Sequence, residues 1–373
     1  MAIFPGFCGP SNRQAVRTPD VERTVNLYVR IVDGNGTPKA QANLYRRPGL
    51  HQFTFLGSGP VTAQLAQDGR AFAISGNGFF EFYPSQGNSA WGAVRQSAIA
   101  STMSSNGQQG HQLFITSGGL GYIFDLTTNV LTQITDPAFP ANVTQGLFFN
   151  GQFIALSGTD GAFYVSAPYD GTSWNALDKG IESQFSDQIV AMVRSHDNLV
   201  LFGSRNTSIW VDSGTGGAAG FVPQPGTVIE HGILAPFSVV EVDNTAYYLG
   251  QDAQGAKMVW RLDGYTPVRV SSHAVEADLA RVSGAGSIGM AYQEQGHTFY
   301  GLYVPGLPTS WFYDISTQQW AERAHWNIQT GEWIPYLGVS HSFAFGKHFV
   351  GDRQSGAIYE QSMDLYTDYV VVT

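Results

Sequence analysis

Short apolar runs recur along the chain, each closed by a glycine-rich turn and followed by a second run that carries aromatic residues. "RAFAISGNGFFEFYP" near the start, "QFIALSGTDGAFYVSAPYDGTSW" in the middle and "KHFVGDRQSGAIYEQS" near the end share this plan with four further segments. Runs of this kind, bounded by glycine, predict strands joined as hairpins. Equivalent positions fall at Phe72, Phe114, Phe153, Val200, Tyr247, Phe299 and Phe349. Their spacing of roughly 40 to 50 residues matches four-stranded propeller blades. A lone hairpin exposes two edges and cannot cover both of its faces, whereas blades stacked radially cover one another. The pattern therefore predicts an all-β fold, a β-propeller of six or seven blades.

Residues outside the repeat refine this picture. Positions 22–50 carry a strand-like alternation at Val25, Leu27, Val29 and Ile31 and an Asp33-Gly34 turn. Two readings stand: a strand that closes the ring on the last blade, or a separate N-terminal arm. Residues 1–50 are accordingly set apart from a propeller domain over 51–373. One short helix is expected within 271–284, where Val275, Leu279 and Val282 recur at helical spacing after Ser272 and before Gly284. The glycine-rich stretch 211–226 is expected either to constrict a lumen or touch a neighbour, or to link two blades. The ending "YTDYVVVT" is an apolar run without a closing turn, which predicts a native chain that continues.

Composition sharpens the surface. The hydrophobic share is 43%, but charged residues make up only 13%, about half the usual quarter. A β-rich surface so poor in charge is expected to meet partners. The net charge of −10 argues against a protein that grips phosphate backbones over its whole surface, since Lys and Arg supply that binding. It leaves room for DNA that passes without being held. The single cysteine, Cys8, excludes an intrachain disulfide framework. The start lacks the basic and apolar regions of a signal peptide, and no run of eighteen apolar residues occurs, so a soluble protein made in a reducing compartment is expected.

Candidate chemistry is sparse. "GAGSIG", with Gly284, Gly286 and Gly289, matches a dinucleotide fingerprint by letter, but that mechanism needs a strand before it and a helix after it, the reverse of the order here. Asp170-Gly171 in "APYDGTSW" is one residue out of register with an aspartate box and reads as a turn. His341 and His348, seven apart, fall on opposite faces if their strand is continuous, and no carboxylate or cysteine stands at metal-site spacing. Glu230 and His231 are adjacent, which in a strand points them apart. No catalytic, metal or cofactor residues are assigned.

Several phrases, in order, carry a resemblance. Glu22 to Tyr28 reads "ERTVNLY", Pro48-Gly49-Leu50 follows, and Trp174 to Asp178 reads "WNALD". Asp187 to Val190 leads into Leu199 through Gly203 to Trp210, then Glu230 to Gly232, Ala235 to Ser238, the Tyr247 to Gly255 hairpin, and Gly264 to Ser271 before the helix with Glu276. This series resembles the tail nozzle, or packaged DNA stabilisation, proteins of short-tailed bacteriophages. The resemblance implies a β-propeller subunit that forms a homo-oligomeric ring, usually of six copies, below the portal and adaptor in the virion tail, assembled in the host cytoplasm. It implies as partners the adaptor (head-to-tail connector) protein, tail spikes or fibres, a tail needle or plug, and viral DNA passing without sequence-specific binding, with no membrane-spanning segment. Family members often run longer than this chain. Glu230, His231, Arg205, Trp210, Arg46 and Arg47 are the candidate interface residues. A structural, non-enzymatic role follows, with a propeller enzyme or lectin acting on polysaccharide as the alternative.

Overall fold

The computed structural model describes residues 11, 23–32, 41–57, 59–183, 186–215, 220–252 and 254–369. Seven sheets, antiparallel but for one short strand in the last, succeed one another and make a seven-bladed β-propeller. Blades 1 to 6 span 61–93, 102–133, 143–180, 191–223, 232–269 and 288–335, and blade 7 is built from 338–362 with a strand from the N-terminal region.

The seven periodic positions each fall in the second strand of one blade: Arg70–Ser75, Gln112–Ser117, Gln152–Ser157, Asn198–Phe202, Thr245–Gln251, His297–Tyr303 and Lys347–Asp352. All seven side chains are buried. These strands lie between neighbours in their own sheet and between adjacent blades, so both faces are covered and the run reads as continuously apolar. In five blades the first and second strands are joined by a two-residue turn whose central residues both have positive φ: Asp68-Gly69, Asn150-Gly151, Asp243-Asn244, Gln295-Gly296 and Phe345-Gly346. Such turns match the twist of the strands they join, and glycine or a short polar residue adopts them at little steric cost.

The closing strand is Gly49–Phe55, which pairs antiparallel with Ala357–Ser362, from Gly49 opposite Ser362 to Phe55 opposite Ala357. Asp368–Tyr369 adds a parallel strand on its other side. The alternating run around 25–31 does not pair with the last blade. Leu27–Val32 pairs with Gln41–Arg46 as a hairpin that leans on the outer part of blade 6 through a bridge from Val25 to Glu322. Of the alternating residues only Val29 is buried and Ile31 is exposed, and Tyr28, from the other face, packs on Phe299; the closing strand buries Leu50 and Phe53 and is marked by its glycine. A Cβ on Gly49 would lie 2.5 Å from the Leu365 carbonyl oxygen, so the C-terminal segment can approach this closely only over glycine. The Asp33-Gly34 turn and the residues after Tyr369 lie outside the described residues.

The expected helix is His273–Ala280, capped by the Ser272 hydroxyl, which accepts from the Val275 N–H. It lies between blades 5 and 6 and buries Ala274, Val275 and Leu279 in their shared core. The glycine-rich stretch 211–226 lies mainly within blade 4, between Thr207–Asp212 and Phe221–Pro223, so it is a hairpin loop of one blade and does not link two. Its residues 216–219 lie outside the described residues.

Candidate assembly surfaces and the axial channel

The step from blade 4 to blade 5 runs through Ile229–Ile233. Ile229 and Thr207 exchange backbone hydrogen bonds of 2.8 and 2.9 Å, and the Ile233 N–H donates to the Gly203 carbonyl at 2.9 Å. The Thr207 hydroxyl donates to the His231 carbonyl at 2.7 Å. A Cβ on Gly232 would meet the Arg205 nitrogen at 2.3 Å, which explains the glycine after Glu230 and His231. The His231 ring stacks on Trp260 at 4.4 Å, while Glu230 stays exposed. These two residues therefore work apart, one in the wall of blade 5 and one on the surface. Arg205 is exposed nearby, its backbone N–H donating to the Asp187 carboxylate at 2.6 Å. Trp210 is buried. Its indole N–H donates to Glu182 at 2.9 Å and its ring meets the edge of Phe163 at 5.3 Å, so it joins blades 3 and 4 of the same chain.

Arg46 and Arg47 lie just before the closing strand. The Arg47 guanidinium is buried and bidentate on Asp368, with 2.9 Å from Nη1 to Oδ1. It also donates to Asn26 Oδ1 at 2.8 Å and to the Pro48 and Ala324 carbonyls at 2.8 and 3.2 Å. His325 reaches the same carboxylate at 3.0 Å. Burial pushes Asp368 up, but the His325 hydrogen bond and the Arg47 charge outweigh it and hold the carboxyl at about 2. Arg47 thus binds the N-terminal segment, blade 6 and the C-terminal strand to one another. Arg46 donates to the Met363 and Leu365 carbonyls and lies 4.1 Å over the Tyr366 ring.

The first strand of every blade borders an axial cavity of about 620 Å³. Its wall is mostly Ser, Thr, Gln and apolar residues, and its charged members, Arg194 and Glu241, approach each other at 3.8 Å. Gln145 ties three blades together here: its amide donates to the Pro236 carbonyl at 2.9 Å and its oxygen accepts from the Met192 N–H at 2.8 Å. Gln64 does the same between blades 1 and 7, donating to Ser340 Oγ at 2.9 Å and accepting from Ser342 Oγ at 3.0 Å. A space of this volume is that of a small-molecule cleft.

His341 and His348 do not occupy opposite faces of one strand. The Phe345-Gly346 turn folds them onto neighbouring strands, where His341 Nε2 and His348 Nδ1 meet at 3.0 Å with ring centroids 5.3 Å apart. The rings face each other head-on, as in an N–H···N hydrogen bond. Burial and its neighbour push His341 down to about 3, so the pair is neutral at pH 7. Among the described residues no cluster of three or more His, Cys, Asp or Glu side chains is placed to hold a metal. Asp170 stands at a two-residue turn and accepts from the Thr172 N–H at 2.9 Å.

Exposed apolar residues add surfaces that sequence reasoning missed. Leu177, inside the "WNALD" phrase, is 88% exposed and Ile328 is 81% exposed. Ile328 sits at the tip of an extra hairpin on blade 6, where Trp326 and Trp333 pair across the strands with ring centroids 5.1 Å apart. The signal was two tryptophans flanking a glycine turn beyond the four-strand quota of the blade. Trp326 and Trp333 are exposed too, so the hairpin tip carries an apolar patch, whereas Leu177 is a single exposed side chain, which is ordinary on a protein surface.

No curated protein matches the sequence. Solved structures share the architecture. The extracellular domain of the hybrid two-component system BT4673 from B. thetaiotaomicron superposes with a TM-score of 0.57 at 9% identity, over 84% of this chain, which spans 40% of that one. A chain of the mitotic checkpoint complex gives 0.55 at 12% identity, covering 89% of this chain and 98% of that chain. YCF48 from Cyanidioschyzon merolae gives 0.54 at 12% identity, covering 85% and 100%. At such identities the likeness is one of fold alone. Residues 25–366 match the family described as "Bacteriophage P22 Gp10, beta-propeller", and the chain belongs to that family.

Proposed function

We propose that this phage propeller is a structural subunit of a short tail. In this reading copies of the chain, six in number, form a nozzle ring below the adaptor, retain packaged DNA and line part of the ejection channel. Spikes or fibres and a needle or plug attach to the ring. The observation that carries the reading is the family match across the whole propeller. The axial cavity supports one refinement: at about 620 Å³ it suits a small molecule, so DNA runs outside the propeller axis, through the lumen of the ring. With a net charge of −10, a lumen wall of outer blade surface would repel phosphate within a Debye length of about 8 Å and let DNA slide. Exposed Glu230, Arg205 and Leu177 are free to meet neighbouring subunits, whereas Arg47 and Trp210 are engaged within the chain.

Mass photometry and negative-stain imaging of the purified chain with its adaptor protein test this. Rings of discrete mass are expected. A strict monomer that cleaves a glycan and loses that activity on Glu230→Gln, or on Asp252→Asn in the turn after the strand Thr245–Gln251, where Asp252 accepts from the Ala256 N–H at 2.7 Å, would sink the proposal.

A further inference from the structure

A cleft of about 400 Å³ opens where the extra hairpin of blade 6, formed by the end of Gln319–Asn327 and by Glu332–Pro335, meets the residues that lead into the closing strand and the C-terminal strand. Three aromatic side chains line it and stay open to solvent: Trp326 at 48%, Trp333 at 40% and Tyr366 at 83% exposure. The two indoles stand opposite each other in the hairpin register and meet edge to face, 71° apart, so each fixes the other. The charged groups of the cleft are engaged within the chain. Arg47 and His325 share the Asp368 carboxylate, and Arg46 donates to the Met363 and Leu365 carbonyls while lying over the Tyr366 ring. The groups left to meet a ligand are mainly uncharged: Asn26 Nδ2, the Thr367 and Tyr366 hydroxyls and the indole nitrogens line the same space with no hydrogen-bond partner among the described residues. A cation entering here would meet Arg46 and find no free carboxylate, and an anion would have to draw Arg46 off its carbonyls. Open aromatic faces beside neutral donors and acceptors suit a molecule with an apolar face and a rim of hydroxyls. A pyranose ring has both, and its C–H face rests on the electron-rich face of an aromatic ring.

We propose that this cleft binds a neutral polysaccharide built of pyranose rings, with Trp326, Trp333 and Tyr366 as stacking surfaces and Asn26 and Thr367 as hydrogen-bonding partners of the sugar hydroxyls. The hairpin that exceeds the four-strand plan of the blade then gives the propeller a second role, contact with a glycan surface, which does not depend on how many copies assemble.

The test is retention of the full chain on immobilised bacterial polysaccharides, neutral and acidic, followed by titration of its tryptophan fluorescence with oligosaccharides cut from those that retain it. Retention on at least one neutral polysaccharide is expected, with a saturating fluorescence change and an affinity that hardly moves between about 0.05 and 0.5 M salt. Trp326→Ala and Trp333→Ala should each weaken binding about tenfold, with unfolding temperatures showing that both variants fold. Tyr366→Ala, at a side chain too exposed to matter for folding, should weaken it about threefold and decides the matter if a tryptophan variant does not fold. Three results overturn the proposal: no neutral polysaccharide retains the chain; retention is confined to acidic polysaccharides and collapses with salt, which is charge attraction alone; or the variants bind glycan as wild type does, whether or not they lose ring assembly, which would make the cleft a protein contact or a bare surface.

Discussion

Two inter-blade seams of this ring are built from different chemistry. Between blades 2 and 3 the contact is aromatic and apolar: Phe114 lies 5.3 Å from Phe153 and 5.8 Å from Trp174, and Phe139 meets Trp174 at 4.8 Å. Between blades 6 and 7 the apolar cluster around Met290, Phe312 and Val350 is threaded by Arg47, Glu294, Arg323, His341 and Asp368. The first seam joins segments that are neighbours in sequence. The second borders the blade assembled from both ends of the chain, where Gly49 must find Ser362. Each doubling of a loop costs about 0.6 kcal/mol, so this closure is dearer than a hairpin turn by about 4 kcal/mol. Apolar contact rewards any close approach, whereas the Arg47 fork accepts one placement of the C-terminal strand. The comparison teaches that oily packing holds the ring together and that polar groups set the register of its closure.

Deleting bulk from the apolar seam should have the largest effect. Phe153→Ala removes a fully buried ring and is expected to cost about 3–5 kcal/mol, seen as an unfolding temperature lowered from wild type by nearly the same amount at pH 5 and at pH 8. Arg47→Met attacks the other seam. It leaves Asp368 buried with the His325 ring, 3.0 Å away, as its remaining side-chain partner and should cost about 3 kcal/mol. The double variant Arg47→Met with Asp368→Leu should recover much of that loss, because it removes both charges together. Equal damage from the single and double variants would show that Arg47 acts by packing alone. The linkage has a defined sign: Asp368 is lowered in the fold, so its stabilisation is complete above its unfolded value near 4 and is lost as pH falls toward about 2.

The difference between the seams also explains what the sequence disclosed. The blades were legible, as six or seven, because each second strand is covered on both faces, and that burial writes a periodic apolar run at Phe72, Phe114 and their equivalents. The helix was legible through Ser272 and its helical spacing. Closure was only half legible. The alternation at Leu27, Val29 and Ile31 drew attention to a hairpin on blade 6, while the true closing strand advertised itself by Gly49, whose meaning depends on a carbonyl 316 residues away. The partnership of Arg47 with Asp368, and of His341 with His348, is set by a register that composition and spacing do not encode. Leu177 was quoted within a phrase, but its exposure is a property of the fold.

The smallest effect at neutral pH belongs to the histidine pair, and it separates the seams most cleanly by pH. His341→Leu removes one neutral hydrogen bond at the wall of the axial cavity, where water can take over the His348 nitrogen, so a change within about 1 kcal/mol is expected at pH 7. In the native chain His341 is lowered to about 3, whereas the unfolded chain protonates near 6.5. Between those values the unfolded state binds the extra proton, so wild-type stability falls as the medium is acidified below about 6.5. The leucine variant lacks this penalty. By pH 5 it should stand about 1–2 kcal/mol above the position that its pH 7 stability would predict, a figure reduced for the water that screens His341 from the cavity. Unfolding curves at pH 7 and pH 5 for wild type, His341→Leu and Phe153→Ala measure this directly. Parallel shifts in all three proteins would mean that the head-on pair carries no linked proton.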